Sequence, residues 1–199
     1  MDQRTREELA RIAEEIAHCK KCPLATTRTN PVPGEGGYKK RIMLVGEAPG
    51  KNEDLQGRPF VGKAGEFLNE LLDSIGLSRD DVFITNVLKC RPPNNRDPRP
   101  EEIKACSPYL ERQISILRPR IIVTLGRFAW QWTCEHFGVS YVPISRAHGR
   151  PYHTHTIIYG ALTVFPTYHP AAALYNKQIE PILREDFRRL KSVLMELGI

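Results

Sequence analysis

Four short and continuously apolar segments, separated by longer stretches with helical periodicity, constrain the fold of this chain more than any other feature. The segments comprise residues 41–46, 82–87, 121–125 and 162–165. Strands that are apolar on both sides are typical of a sheet covered on both faces, and strands that alternate with helices pair in parallel. The sequence therefore predicts an α/β fold, a three-layer α/β/α sandwich around a short, mostly parallel four-stranded sheet.

The helices that separate these segments begin at recognisable signals. Thr5 followed by Glu8 is a capping-box pattern, and we expect the first helix to run from there to near Cys19. Proline and acidic residues predict a helix start near Pro100, and we expect the last helix to begin near Pro181. Because neither an internal repeat nor a second apolar core is evident, we predict a single domain over residues 1–199.

The charge balance favours an anionic partner. The 199 residues include 29 Lys and Arg against 23 Asp and Glu, which gives a net charge of +6. Such an excess suits nucleic-acid binding and is also compatible with ordinary solubility. No segment approaches the roughly 18 uncharged apolar residues of a transmembrane helix, and the N-terminus is charged where a secretory signal is apolar. We therefore expect a cytoplasmic protein that does not bind membranes.

Polar residues follow three of the predicted strands at the edge where parallel sheets bind ligands. Glu47 lies in the loop after the first strand, Asn86 ends the second, and His169 follows the fourth. Each residue has a structural alternative, since Glu47 could cap a turn, Asn86 could tie a loop and His169 could cap a strand. Their convergence on one edge of the sheet favours a functional site over these alternatives.

The loops beside these residues narrow the chemistry. The loop that begins at Gly46 lacks the glycine pattern of dinucleotide-binding sites and the lysine of a P-loop, so a nucleotide cofactor is disfavoured. Phe60 lies among glycines on the next loop. Such an aromatic ring is compatible with stacking on a nucleobase, and it is equally compatible with burial in the apolar core.

The cysteines predict a metal centre. Cys19 and Cys22 are spaced to bind one centre, and their partners must come from Cys90, Cys106 or Cys134. Cys134 lies among aromatic residues and is interpreted as a buried thiol. Because the third and fourth cysteines are far apart in the sequence, we favour an iron–sulfur cluster over zinc, with the absence of any metal as the third interpretation.

Taken together, these motifs resemble those of family 4 uracil-DNA glycosylases, the iron–sulfur type of bacteria and archaea. The resemblance runs from Cys19 to the final helix, and the motifs that carry it are residues 46–50, 57–60, 85–86 and 169–172, which read GEAPG, GRPF, TN and HPAA. It implies an enzyme that hydrolyses the N-glycosidic bond of deoxyuridine in DNA and leaves an abasic site, as part of base excision repair.

The resemblance also implies roles for individual residues. Phe60 would stack on the extruded uracil, Asn86 would hydrogen-bond its Watson–Crick edge, and His169 would donate to uracil O2. Glu47 would orient the attacking water or oppose the sugar cation, although related uracil glycosylases carry a catalytic aspartate one position later in this loop. Gly46 belongs to the same substrate site. Since Gly50 replaces a bulky ring that elsewhere excludes thymine, we expect Glu53 to take over that exclusion.

Further expectations concern the cofactor and the partners. The family's [4Fe-4S] ligands correspond to Cys19, Cys22, Cys90 and Cys106, and we expect the cluster to be structural. Leu174 is interpreted either as a wedge that fills the space left by the extruded base or as a core leucine of a first helical turn. We expect a monomer that acts on uracil-containing DNA, single- or double-stranded. No clear motif for binding a sliding clamp is present.

Two other functions are compatible with the same motifs. The chain could be a nucleic-acid-binding or redox-sensing module that has lost excision, but it keeps all four of the residues at positions 47, 60, 86 and 169. It could also belong to a neighbouring glycosylase class with broader substrates, including deaminated purines. The polar Glu47 disfavours that class.

Overall fold

Five strands form one sheet in the computed structural model, which describes residues 1–199. The strands are β1 (Ile42–Gly46), β2 (Val82–Asn86), β3 (Ile121–Leu125), β4 (Tyr152–Thr156) and β5 (Gly160–Thr167). Their order across the sheet is β2-β1-β3-β5-β4. The pairs β1 with β2, β1 with β3, and β3 with β5 are parallel, and only β4 is antiparallel to its neighbour.

The predicted α/β class and mostly parallel sheet are confirmed, but the prediction of four strands is wrong. The fifth strand, β4, forms a hairpin with β5 at the edge of the sheet. Its sequence is Tyr-His-Thr-His-Thr, and its residues alternate between half-buried and exposed. An edge strand with one face in solvent needs no continuous apolar run, so the signal that revealed the other strands is missing here.

Nine helices surround the sheet. They are α1 (Gln3–Ala17), α2 (Leu24–Thr27), α3 (Lys51–Gln56), α4 (Lys63–Ser74), α5 (Pro100–Leu117), α6 (Arg127–Phe137), α7 (Ile144–Ala147), α8 (Ala172–Tyr175) and α9 (Ile179–Glu196). The start of α5 at Pro100 is as predicted. The predicted capping box at Thr5 is wrong, because Asp2 caps α1 and its carboxylate accepts from the Thr5 N–H at 2.8 Å. None of the helices combines the length and the apolar character needed to cross a bilayer.

Alternate residues of each central strand pack against opposite layers of helices. In β1, Ile42 and Leu44 belong to the core under α4 and α9, whereas Met43 and Val45 belong to the core under α5 and α6. Every residue of β1, β2 and β3 is buried. This arrangement is the expected three-layer sandwich, and it leaves the carboxyl ends of the parallel strands along one edge.

A third, smaller core joins the N-terminal helix to the rest of the molecule. Ile12 and Ile16 of α1 pack with Leu24 of α2 and with Tyr109 of α5, and Cys90 and Cys106 belong to the same cluster. Helix α1 therefore rests on α5 at the side of the sandwich, with cysteines at the centre of the contact.

We predict that Leu68→Ala lowers the free energy of unfolding by about 2–5 kcal/mol, because Leu68 is fully buried between α4 and the sheet and its truncation leaves a cavity. Denaturant unfolding followed by circular dichroism measures the change. Leu55→Ala is the matched control, since Leu55 is 56% exposed and its truncation should change stability by less than about 0.5 kcal/mol. Equal effects of the two substitutions would contradict the described core.

Candidate active site

The loops that leave the carboxyl edge of the sheet enclose a cavity of about 550 Å³. This volume is in the range of small-molecule sites. The lining includes the three side chains that the sequence placed at this edge, Glu47, Asn86 and His169. It also includes three residues that were predicted to act on the substrate DNA, Glu53, Phe60 and Leu174. The structure thus brings together residues that are as far as 127 positions apart in the chain (174 − 47).

The floor of the cavity is formed where β1 and β2 end side by side. Gly46 pairs with Asn86 in the parallel register. A Cβ atom at position 46 would lie 2.4 Å from Oδ1 of Asn86 and 3.0 Å from Cζ of Phe60. The close approach of these two side chains therefore requires glycine at position 46, and Gly46 shapes the site by leaving room.

The Asn86 amide is a buried group that the protein itself does not satisfy. The residue is 2% exposed, and its Oδ1 atom has no hydrogen-bond partner. An unpaired buried acceptor costs about 1–3 kcal/mol. Because Asn86 lines the cavity, this acceptor is available to a donor group on a ligand.

Phe60 is held in a strained backbone conformation beside the cavity. Its φ angle is 51°, which a bulky residue rarely adopts. The Arg79 guanidinium donates to the Phe60 carbonyl at 3.0 Å, and Gly65 approaches so closely that a Cβ there would lie 1.9 Å from the same oxygen. The Phe60 ring stacks on His169 with centroids 5.3 Å apart. Strain of this kind persists where the surroundings fix a side chain for a function.

The hydrogen bonding of His169 defines which ring nitrogen carries a proton. The main-chain N–H of Ala171 donates to Nδ1 of His169 at 3.0 Å, so Nδ1 is an acceptor and Nε2 carries the proton of the neutral ring. Desolvation lowers the pKa of His169 to about 4, although the Glu53 charge opposes the shift. At neutral pH the site therefore contains an uncharged imidazole whose Nε2–H is a donor.

The carboxyl group of Glu47 lies in an electrostatically unfavourable position. Burial raises its pKa to about 7, and the negative charge of Asp97 adds to the effect while Arg127 opposes it. The side chain makes no hydrogen bond within the protein, although the Glu47 carbonyl accepts from the Leu88 N–H at 3.0 Å. Titration near neutral pH is what an acid–base group requires.

Glu53 organises the loop that carries Phe60. Its Oε1 atom accepts from the main-chain N–H groups of Val61 at 3.1 Å and Gly62 at 3.3 Å. The second carboxylate oxygen, Oε2, lies next to Gly50. A Cβ atom at position 50 would be only 2.8 Å from this oxygen, so a larger residue there would collide with the Glu53 side chain. This anchoring of the loop is a role that the sequence did not reveal, because it depends on contacts across the turn at Gly57.

Exposed apolar side chains border the entrance of the cavity. Leu174 and Tyr175 of α8 are 48% and 91% exposed, and both line the cavity. Leu174 is therefore not the core leucine that the sequence left open as an alternative. The sequence analysis did not identify Tyr175. What marks this residue is its exposure at the cavity entrance, which only the structure reveals.

Four of the five cysteines meet at a second location, beside α1. Cys19, Cys22, Cys90 and Cys106 line one enclosed space, and Cys134 lies in a different core. Arg28 donates to the Cys90 sulfur at 3.0 Å, and the Lys89 main-chain N–H donates to the Cys106 sulfur at 3.2 Å. Burial raises the pKa of both thiols, that of Cys106 to about 11. No three His, Cys, Asp or Glu side chains are grouped as a single metal ion would require.

Comparison with known proteins places these motifs in a family. The profile of the Uracil DNA glycosylase superfamily matches residues 33–192. A type-4 uracil-DNA glycosylase of Sulfurisphaera tokodaii is 54% identical over 186 residues, which are 93% of this chain and 84% of the relative. A type-4 uracil-DNA glycosylase of Thermotoga maritima is 45% identical over 197 residues, 98% of this chain and 99% of the relative. A type-5 uracil-DNA glycosylase of Thermus thermophilus is 36% identical over 181 residues, 83% of this chain and 78% of the relative. The resemblance inferred from the motifs is confirmed, and the chain belongs to the uracil DNA glycosylase superfamily.

Proposed function

We propose that this protein is a DNA repair enzyme that extrudes uracil from DNA and hydrolyses its N-glycosidic bond, leaving an abasic site. The observation that carries the proposal is that one cavity contains both an acceptor and a donor for a ligand. The acceptor is the buried Oδ1 of Asn86, which has no partner in the protein, and the donor is the Nε2–H of a neutral His169. The similarity to type-4 uracil-DNA glycosylases over nearly the whole chain supports it.

Asn86 provides the base selectivity. A carboxamide offers one acceptor and two donors, which match the N3–H donor and the O4 acceptor of uracil. Cytosine has an acceptor at N3 and a donor amino group at C4, so the same amide meets the opposite pattern. A site built on such hydrogen bonds rejects the mismatched base because its buried polar groups would stay unpaired. The unpaired Oδ1 atom is the acceptor for uracil N3–H.

His169 stabilises the departing base. As the bond between C1′ and N1 breaks, the electron pair leaves with the base, whose O2 gains negative charge. The Nε2–H of a neutral imidazole donates to that oxygen without giving up its proton, which the low pKa of His169 favours. The oxygen of a water molecule bonds to C1′, and the ionised Glu47 carboxylate orients this water and opposes the positive charge of the sugar. The proton that the water loses neutralises the uracil anion, so that the products are neutral uracil and an abasic site.

The remaining residues of the site act on the extruded nucleotide and on the duplex. Phe60 stacks on the face of the uracil ring, and Leu174 enters the space that the base has left. Extrusion costs a few kcal/mol, which contacts between basic side chains and phosphates help to offset. Lys51 and Lys63 line the same cavity, are exposed and are suited to such contacts. Single- and double-stranded DNA are both expected as substrates, and the chain is expected to act as a monomer.

The four cysteines beside α1 are proposed to hold a [4Fe-4S] cluster. The donor set fits, because four sulfurs share one enclosed space and two of them already accept N–H hydrogen bonds of the kind that stabilise cluster thiolates. When bound, the cluster supplies covalent cross-links and no redox step. The residues themselves tie the end of α1 to the segment after β2 and to α5, which keeps the loop that follows Asn86 in place.

The cleavage reaction is the direct test of this function. We expect the purified protein to cleave a uracil-containing single-stranded oligonucleotide after alkali treatment, but not the cytosine version. His169→Ala should lower the single-turnover rate by about 10²–10³-fold, because the developing oxyanion loses a donor. His155→Ala, at an exposed position of β4, is the matched control and should keep the wild-type rate. Binding of the uracil strand without cleavage would overturn the proposal and favour the binding or sensing module.

The raised pKa of Glu47 predicts the pH dependence of the reaction. Only the ionised carboxylate orients water, so the single-turnover rate should rise with pH up to about 7 and then level off. Between pH 5 and 8 the low pKa of His169 keeps the imidazole neutral, so its titration does not contribute. Glu47→Gln should lower the plateau by about 10²-fold and remove the step at neutral pH. An unchanged pH profile in this variant would contradict the role of Glu47.

Substitution of single cysteines should show which of the five bind the proposed cluster. In protein purified without oxygen, Cys106→Ser should lose the visible thiolate-to-iron absorbance and unfold at a lower temperature. Cys134→Ser should keep the absorbance, because Cys134 lies in a separate core. A colourless wild-type protein with a bound iron content of zero, or equal absorbance in both variants, would contradict the proposed cluster.

A further inference from the structure

A buried lysine lies directly behind the Asn86 side of the cavity. Lys89 follows β2 by three residues, and although it is 1% exposed, its ammonium group meets no carboxylate. Burial of a charge without an opposite charge is costly unless hydrogen bonds satisfy the group completely. Lys89 also lines the space between the four cysteines. Its three hydrogen bonds show which parts of the chain it holds in place.

The hydrogen bonds of Lys89 converge on the segment that carries Asn86. Its Nζ donates to the main-chain carbonyl of Asn86 at 2.8 Å, to Oγ1 of Thr85 at 2.6 Å and to Oε1 of Gln113 at 2.8 Å. An ammonium group has three donors, so each of them has an acceptor. Gln113 in turn donates to the Pro33 carbonyl at 2.7 Å, which ties the group to the segment that covers β2.

The position of β2 explains why this contact is needed. Strand β2 is at the edge of the sheet, and its outward carbonyls have no neighbouring strand. The N–H groups of Tyr38 and Glu35 donate to the carbonyls of Val82 and Ile84. The next outward carbonyl is that of Asn86, and there the Lys89 side chain takes the place of a main-chain donor. The outward carbonyl of the last residue of the edge strand is therefore held by a side chain alone.

We propose that Lys89 is a positioning residue that fixes the main chain of Asn86 and thereby the orientation of its amide toward the base. This inference rests on the proposed function, in which Asn86 binds uracil. The Asn86 amide has little room to move, because its Oδ1 atom lies so close to Gly46 that a Cβ atom there would not fit. The Lys89 main chain is itself fixed, since its N–H donates to the Cys106 sulfur and its carbonyl accepts from Val32. The amide is thus linked to the proposed cluster by one residue.

Inhibition of cleavage by free uracil tests this role without depending on how much protein is folded. We expect Lys89→Met, which keeps the apolar stem, to raise the inhibition constant for uracil about tenfold, as expected for one well-made hydrogen bond. The KM for the oligonucleotide should stay the same, since phosphate contacts dominate it. A residue that only stabilises the fold would reduce the active fraction and leave the inhibition constant unchanged.

A double-mutant cycle with Asn86→Ala makes the test specific. If Lys89 acts through the amide, the double variant should have the same inhibition constant as Asn86→Ala alone, because the amide that Lys89 positions is gone. Lys104→Met, at an exposed lysine of α5, should have no effect. Gln113→Leu removes one acceptor of Nζ and should raise the constant about threefold, in the same direction, if Lys89→Met does not fold.

Two results would overturn the inference. The first is an unchanged inhibition constant in Lys89→Met and in Gln113→Leu. The second is a double variant whose loss is the product of the two single losses, since independent sites multiply in their effect on affinity. A wild-type protein that does not cleave uracil-containing DNA would instead overturn the proposed function itself, so the two failures are distinguishable.

Discussion

The parallel register between β1 and β2 is the constraint on which the rest of the site depends. It ends both strands at the same level and sets Gly46 opposite Asn86. The same parallel alignment, continued through β3 to β5, brings the loop with Glu47 and the segment with His169 to one edge. A shift of one residue in β2 would turn the Asn86 side chain to the other face of the sheet. Strand pairing therefore decides both the selectivity and the chemistry of the cavity.

Exclusion of water gives the two titratable groups of the cavity their different tasks. Desolvation lowers the pKa of His169 to about 4 and raises that of Glu47 to about 7. The first shift keeps the imidazole neutral, so that it donates from Nε2, and the second allows a carboxyl group to change its charge near neutral pH. In both residues the shift arises from the cavity walls more than from any single neighbouring charge. In the same cavity, no donor group of the protein reaches the Oδ1 atom of Asn86.

Most of the central fold could be predicted from the sequence, because the strands buried on both faces have continuous apolar runs. Strand β4 could not, since its polar, half-exposed pattern resembles that of a loop. Glu47, Phe60, Asn86 and His169 were predicted from their places after strands and from the family resemblance. The anchoring role of Glu53, the exposure of Tyr175 and the buried bonds of Lys89 depend on contacts between distant segments. Neither periodicity nor spacing carries information on such contacts.

The central claim is that a neutral His169 and the Asn86 amide recognise the base together. Nuclear magnetic resonance of protein with ¹⁵N-labelled histidine, titrated with free uracil at neutral pH, measures this directly. We predict that the His169 ring stays neutral, with its proton on Nε2, and that this proton moves downfield as uracil binds. Asn86→Ala should weaken the titration, whereas His155 should show no response. Protonation of His169 on binding, or an Nε2 signal that does not change as uracil is added, would contradict the account.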